Sequence, residues 1–314
     1  MKRVCVFAHY DRDNIIDDYV IYYLNALKDV AETIIFVSDC DLEQKETAKL
    51  NGIANYIIAQ KHGEYDFGSY KRGFLLAKDK GLEFDELIFA NDSVYGPFYP
   101  LKPIFEKMEK KKCDWWGMTK DYCGIRKVND CLYDKYEPHI QSYFLVFKSD
   151  VFNSVQFIEF INSIKKCDDK VSIIIAYEQG LSKILKKAGF VSKSYVNTFL
   201  HYNNLVVFHW KEMLEKHNFP FLKISIPKNG LLFWGKQYGY EEIISKKWNY
   251  PVIFIKNNVN RLQNYSTKEF LPSEKILYFL QTKYPTEIYL TYSFLTRKIL
   301  CTYRRFFRYI RNNF

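Results

Sequence analysis

Short apolar runs alternate with amphipathic segments from Val4 to Ala90, and this alternation constrains the fold more than any other feature of the chain. Val4–Ala8, Thr33–Ser38, Ile53–Ala59 and Glu86–Ala90 read as strands, being brief and rich in Val, Ile and Phe. Asn14–Leu27, Leu42–Asn51 and Ser69–Lys80 carry helical periodicity, the last two stopped near Gly52 and Gly81. Apolar runs without a polar face are buried on both sides, which calls for a parallel sheet covered by helices. The predicted fold is therefore α/β: a Rossmann-type, mostly parallel sheet flanked by helices. Ligands of such sheets sit beyond the carboxyl ends of the strands. The loops that matter are then His9–Asp13, Ser38–Asp41, Gln60–Gly68 and Asn91–Pro97.

Further along, Cys113 to Phe147 reads as less regular, with Asp114–Thr119 opening a loop and Ile140–Phe147 resuming a strand. Val151–Lys166 and Tyr177–Ala188 read as helices, the second ending at Gly189. Beyond Pro227 the rhythm weakens, so the predicted division is residues 1–230 and a helical C-terminal extension, 231–314. The seven Cys are scattered without CxxC spacing, which argues against a zinc site or a disulfide framework. No stretch of about 18 apolar residues occurs, so a cytoplasmic protein with reduced thiols is expected. The formal charge of +10 suits an anionic membrane surface, nucleic acid or a phosphate-rich substrate. Its distribution decides, because Ile288 to Phe314 holds six Lys or Arg and no Asp or Glu.

On a helix, Tyr292, Leu295, Ile299, Tyr303, Phe306, Phe307 and Ile310 would share one face of that tail. Arg297, Arg304, Arg308 and Arg311 would share the other. A basic helix with aromatic anchors is the pattern of an interfacial membrane helix. The expected partner is an anionic membrane surface on its inner face, and no nucleic acid; the alternative is a terminal helix that packs its apolar face on the domain and leaves its Arg in water.

The chemistry concentrates in Tyr65-Asp66-Phe67-Gly68-Ser69-Tyr70-Lys71-Arg72-Gly73 and, a helix later, Ala90-Asn91-Asp92-Ser93. A glycine turn into a helix N-terminus attracts anions, and Lys71 or Arg72 can pair with phosphate. A carboxylate at a strand end, Asp92, suits a divalent ion (Mg²⁺ or Mn²⁺) bridging a diphosphate. By position alone, His9 and Asp39 are placed to meet a nucleotide.

This order of elements resembles the nucleotide-sugar half of a GT-A glycosyltransferase, whose strand ends in a DxD motif. The strings Tyr65–Lys71, Asn91-Asp-Ser-Val-Tyr-Gly-Pro97, Trp116-Gly-Met-Thr119, His139-Ile-Gln-Ser-Tyr-Phe144 and Pro220-Phe-Leu-Lys223 resemble the rhamnan synthesis protein F family. The resemblance covers roughly residues 3 to 260. It implies an inverting glycosyltransferase moving L-rhamnose from dTDP-L-rhamnose to a polyprenyl-linked glycan, on the inner face of the membrane. Asp66, Gly68, Lys71, Arg72, Asn91, Asp92 and Ser93 would then serve the donor, and Trp116, His139 and Gln141 the acceptor. Tyr177-Glu178-Gln179-Gly180-Leu181 is similar to the acidic motif of inverting enzymes, which makes Glu178 the base. A late His209 would reach back to the metal beside Asp92. One departure stands out: Asn91 and Ser93, not carboxylates, flank Asp92. Two rival readings are a sugar nucleotidyltransferase and an inactive donor-binding scaffold subunit.

Overall fold

The computed structural model describes residues 1–128, 131–197, 205–229 and 239–262. Strands β1 (Arg3–His9), β2 (Thr33–Ser38), β3 (Tyr56–Ala59) and β4 (Glu86–Asn91) lie side by side in the order β3-β2-β1-β4, all parallel. Successive residues of β1 enter opposite cores. Cys5 and Phe7 face one helical layer, while Val4, Val6 and Ala8 face the other. That is why the strand carries no polar face. The helix Tyr65–Asp79 packs on the second face, and Gly73 permits it: a Cβ there would stand 2.2 Å from Val6 Cγ1.

Beyond β4 come β5 (Val94–Tyr95), β6 (Trp115–Val128), β7 (Cys131–Ile140), β8 (Phe144–Lys148), β9 (Ser192–Val196) and β10 (Leu222–Lys223). Antiparallel β8 sits next to β4, β6 follows it, and β6 takes β7 antiparallel and β9 parallel. The mixed α/β fold with a mostly parallel central sheet flanked by helices is thus as expected. A separate two-stranded ribbon pairs β10 with β5, matching Lys223 to Val94.

Several boundaries differ from expectation. The first helix begins at Asp18 rather than Asn14, because Asp11 Oδ1 accepts bonds from Asp13 N and Ile15 N and folds that stretch as a loop. The stretch Leu42–Asn51 shrinks to Gln44–Thr47 and a 3₁₀ turn, Ala48–Leu50. The third helix starts at Tyr65, so Gly68 lies inside its first turns rather than before it. A Cβ on Gly68 would meet Glu64 Cβ at 2.3 Å, so its bareness serves packing. The largest difference is the long β6–β7 hairpin where an irregular region was expected.

The helices Tyr240–Lys247 and Val252–Leu262 pack back on the first half of the chain. Tyr22 meets Tyr250 edge-on at 4.9 Å, and Tyr95 donates to Asn258 Oδ1 at 2.6 Å. The basic tail lies outside the described residues.

Candidate active site

At the carboxyl edge, β1 and β4 stay paired as far as Ala8 and Asn91, and Asp92 follows directly. Asp92 N still bonds to Ala8 O, while its Oδ2 accepts from Tyr10 N at 2.8 Å. Burial holds the Asp92 carboxyl well above the usual carboxylate range. His9 stands 3.9 Å from it, and its other ring nitrogen lies 2.9 Å from Ser38 Oγ. Burial lowers His9 to about 4, so this imidazole is neutral.

Asn91 links two neighbours. Its amide donates to Asp66 Oδ2 at 2.7 Å, and its Oδ1 accepts from Ser93 N and Ser93 Oγ at 3.1 and 2.5 Å. The β5–β10 ribbon then delivers Lys223, whose ammonium donates to Ser93 Oγ at 2.8 Å and lies 4.7 Å from the Tyr143 ring centre. Burial lowers Lys223 to about 8, opposed by the charges of Glu178, Asp66 and Asp92 and reinforced by Lys170. Burial also raises Asp66, with Lys170 and Lys223 pulling the other way.

Across from this group, Glu178 sits in a π-helical turn, Ile174–Glu178, that opens the helix Gln179–Lys187. Such turns recur at functional sites. Glu178 Oε2 accepts from Ser142 N at 2.9 Å and Ser142 Oγ at 2.5 Å, while Oε1 lies 3.5 Å from His139 Nε2. Burial opposes the carboxylate, but His139 and Ser142 outweigh it and bring Glu178 down to about 2. The same pairing overcomes burial at His139 and raises it to about 9. Gln141 is buried beside them, accepting from Thr119 Oγ1 at 2.6 Å.

The structure therefore gathers Asp66, Asn91, Asp92 and Ser93 on one side and Glu178, His139 and Gln141 on the other. Other candidates stand elsewhere. Lys71 bonds the carbonyls of Asn162 and Ile164, and Arg72 pairs with Glu64 at 2.6 Å. Trp116 is core, packed on Phe105 and Phe144. Asp39 uses Oδ1 to hold the turn at His62 N and Gly63 N, which shapes the loop after β3. His209 precedes the Trp210–Glu215 helix, 4.0 Å from Glu212.

Three contributors were not singled out as site residues in the sequence. Lys223 arrives through a ribbon of two-residue strands, too short to show periodicity. Ser142 matters through its contact with Glu178, 36 residues away. Arg261 binds Asp11, Asp13 and Asp17 at 2.5–2.7 Å, so the last described helix fixes the loop after β1.

Residues 34–307 match the family model described as rhamnan synthesis protein F. An uncharacterised protein of Sinorhizobium fredii, y4gN, is 24% identical over 250 residues, which is 70% of this chain and 62% of that protein. The chain thus spans under two thirds of the length of this curated relative. Among solved structures it is similar to an inositol-1-phosphate CTP transferase from T. maritima (12% identity, TM-score 0.37, 62% of this chain and 84% of that one). It is also similar to core-mannan synthase A from Aspergillus fumigatus in its Mn/GDP form (10% identity, TM-score 0.32, 52% and 63%).

Proposed function

The chain belongs to the rhamnan synthesis protein F family, and we propose that it is an inverting glycosyltransferase of cell-surface polysaccharide synthesis. The observation that carries this reading is the pairing of two groups across one edge of the sheet. Asp66, Asn91, Asp92, Ser93 and Lys223 form a polar, partly cationic side, and Glu178 with His139 and Ser142 faces it. The donor is a nucleotide sugar, dTDP-L-rhamnose on the family's name, with its nucleotide toward His9 and Asp39 and its diphosphate toward Lys223. The acceptor is a polyprenyl-linked glycan approaching from Glu178, Gln141 and His139.

In the reaction an acceptor hydroxyl attacks the anomeric carbon. Its lone pair makes the new C–O bond as the bond to the diphosphate breaks, and that electron pair leaves with the diphosphate. The acceptor proton passes to Glu178, a carboxylate held in place by two Ser142 donors. Lys223 meets the charge that grows on the leaving oxygen, and such preorganised charge accelerates the step most where water is scarce. Inversion follows from a single displacement.

A thermal-shift panel of nucleotide sugars tests the reading. Ligand at about 100 Kd adds about 2.7 kcal/mol, so dTDP-L-rhamnose should raise Tm by several degrees and turn over when acceptor is present. A flat panel across all nucleotide sugars would overturn the assignment. Release of pyrophosphate when a nucleoside triphosphate and a sugar phosphate are supplied together, with nucleotide sugar as the other product, would favour a nucleotidyltransferase.

A further inference from the structure

The GT-A resemblance implies a divalent ion at the end of β4, but the residues there do not fit one. Mg²⁺ is held by one or two carboxylates together with waters and substrate phosphates, so every free oxygen of the triplet counts. Here the triplet contributes one carboxylate, Asp92, one of whose oxygens already accepts from Tyr10 N. Asn91 Oδ1 is taken by Ser93 N and Oγ, and Ser93 Oγ by Lys223. Among the described residues no three His, Cys, Asp or Glu side chains are grouped to hold a metal.

What the site has instead is a fixed ammonium. Lys223 is anchored at both ends of its reach: β10 pairs its backbone with Val94, and Ser93 Oγ receives its Nζ. An ammonium carries three donors, and among the described residues Ser93 takes one. Its surroundings are mixed, with Asp66, Asp92 and Glu178 attracting it and Lys170 repelling it. Burial lowers Lys228, in the Ser225–Asn229 helix, while the charges of Asp11, Asp13 and Asp92 oppose that and Arg261 adds to it. Burial raises the Asp66 and Asp92 carboxyls above their ordinary range.

We propose that Lys223 is the cation that receives the donor's diphosphate, and that this site binds nucleoside diphosphates without a divalent metal. The inference rests on the sugar-nucleotide reading above. It assigns to one lysine both charge neutralisation in the bound donor and stabilisation of the leaving group. Ser93 is then a positioning residue that aims the ammonium, which accounts for a hydroxyl where a DxD motif would place a carboxylate.

The test is calorimetric titration of the full chain with dTDP, UDP and GDP, in EDTA and again with Mg²⁺ or Mn²⁺. At least one nucleotide should bind in EDTA, with its Kd changed by no more than about threefold on adding metal. Lys223→Met should weaken that Kd by about 10- to 100-fold, as loss of a charge-assisted bond does, and Lys223→Arg should recover most of it. Melting curves of both variants show whether they fold, and the wild-type EDTA titration stands even if they do not. Binding only with metal, or equal binding by Lys223→Met, would overturn the proposal and leave the sugar-nucleotide reading standing. No binding of any of the three in either medium would overturn both.

Discussion

Glu178 and His139 are the residues whose chemistry depends most on each other. Their contact makes Glu178 a persistent anion and His139 a persistent cation, each sitting where burial alone would have neutralised it. A carboxylate near 2 is a weak proton acceptor in the resting enzyme, so the base needs the acceptor hydroxyl pressed against it. Glu178→Gln should therefore lower kcat by about 10² or more while donor affinity stays near wild type. The pair also makes stability depend on pH. His139 holds its proton more tightly when folded, so its contribution is full below its ordinary value of about 6.5 and is lost as pH rises through about 9. Glu178 works in the opposite sense, contributing fully above about 4.5 and losing that contribution as pH falls toward 2. Asp121 and the Glu137 carbonyl also face His139 and support the charged form, and Ser142 supports that of Glu178. The Tm difference between wild type and His139→Gln should then be level from about pH 4.5 to 6.5 and shrink by pH 9. A difference that stays constant past pH 9 would mean that the ion pair does not form.

Among the elements, the Tyr65–Asp79 helix lies close against β1 at Gly73. Gly73→Ala would put a methyl 2.2 Å from Val6 Cγ1, forcing the helix off the sheet at a cost of about 1–3 kcal/mol. Urea unfolding measures this, and a midpoint equal to wild type would show that the two elements separate freely. The same close packing explains what could be read from the sequence. Strands buried on both faces are continuous apolar runs, so β1, β2 and β4 were legible almost to the residue. The β6–β7 hairpin was not, because its distal part mixes Asp, Arg, Lys and Tyr and shows no alternating apolar face. The helix start at Tyr65 was hidden because Gly68 looks like a turn residue, whereas its bareness accommodates Glu64 and His62. On the site, Asp92, Asn91, Glu178 and His139 were legible as short strings. Lys223 and Ser142 stood in such strings too, but their parts, like that of Arg261, come from contacts made by distant segments. Lys71 and Arg72 had the right charge in the right string, yet a helix points them at Asn162, Ile164 and Glu64 instead.

For the molecule as a whole, the excess charge and the site lie in different parts of the chain. Six of the basic residues behind the net charge of +10 fall between Ile288 and Phe314, outside the described residues. Among the described residues no helix is long and apolar enough to cross a membrane. The sequence pattern of the tail, aromatic on one helical face and Arg on the other, suits the surface of an anionic leaflet. Each cation near such a surface contributes about 1 kcal/mol before screening, so the full chain should sediment with phosphatidylserine-rich vesicles at low salt. At 1 M salt the Debye length falls to about 3 Å, and only the apolar share of the binding should persist. A chain truncated after residue 287 should stay in the supernatant and still bind nucleoside diphosphate with unchanged Kd, because Lys223, Ser93 and Asp92 all precede the cut. Equal sedimentation of the two chains would place the membrane contact elsewhere. Loss of nucleotide binding together with a lower Tm would show that the tail supports the sheet rather than a lipid surface.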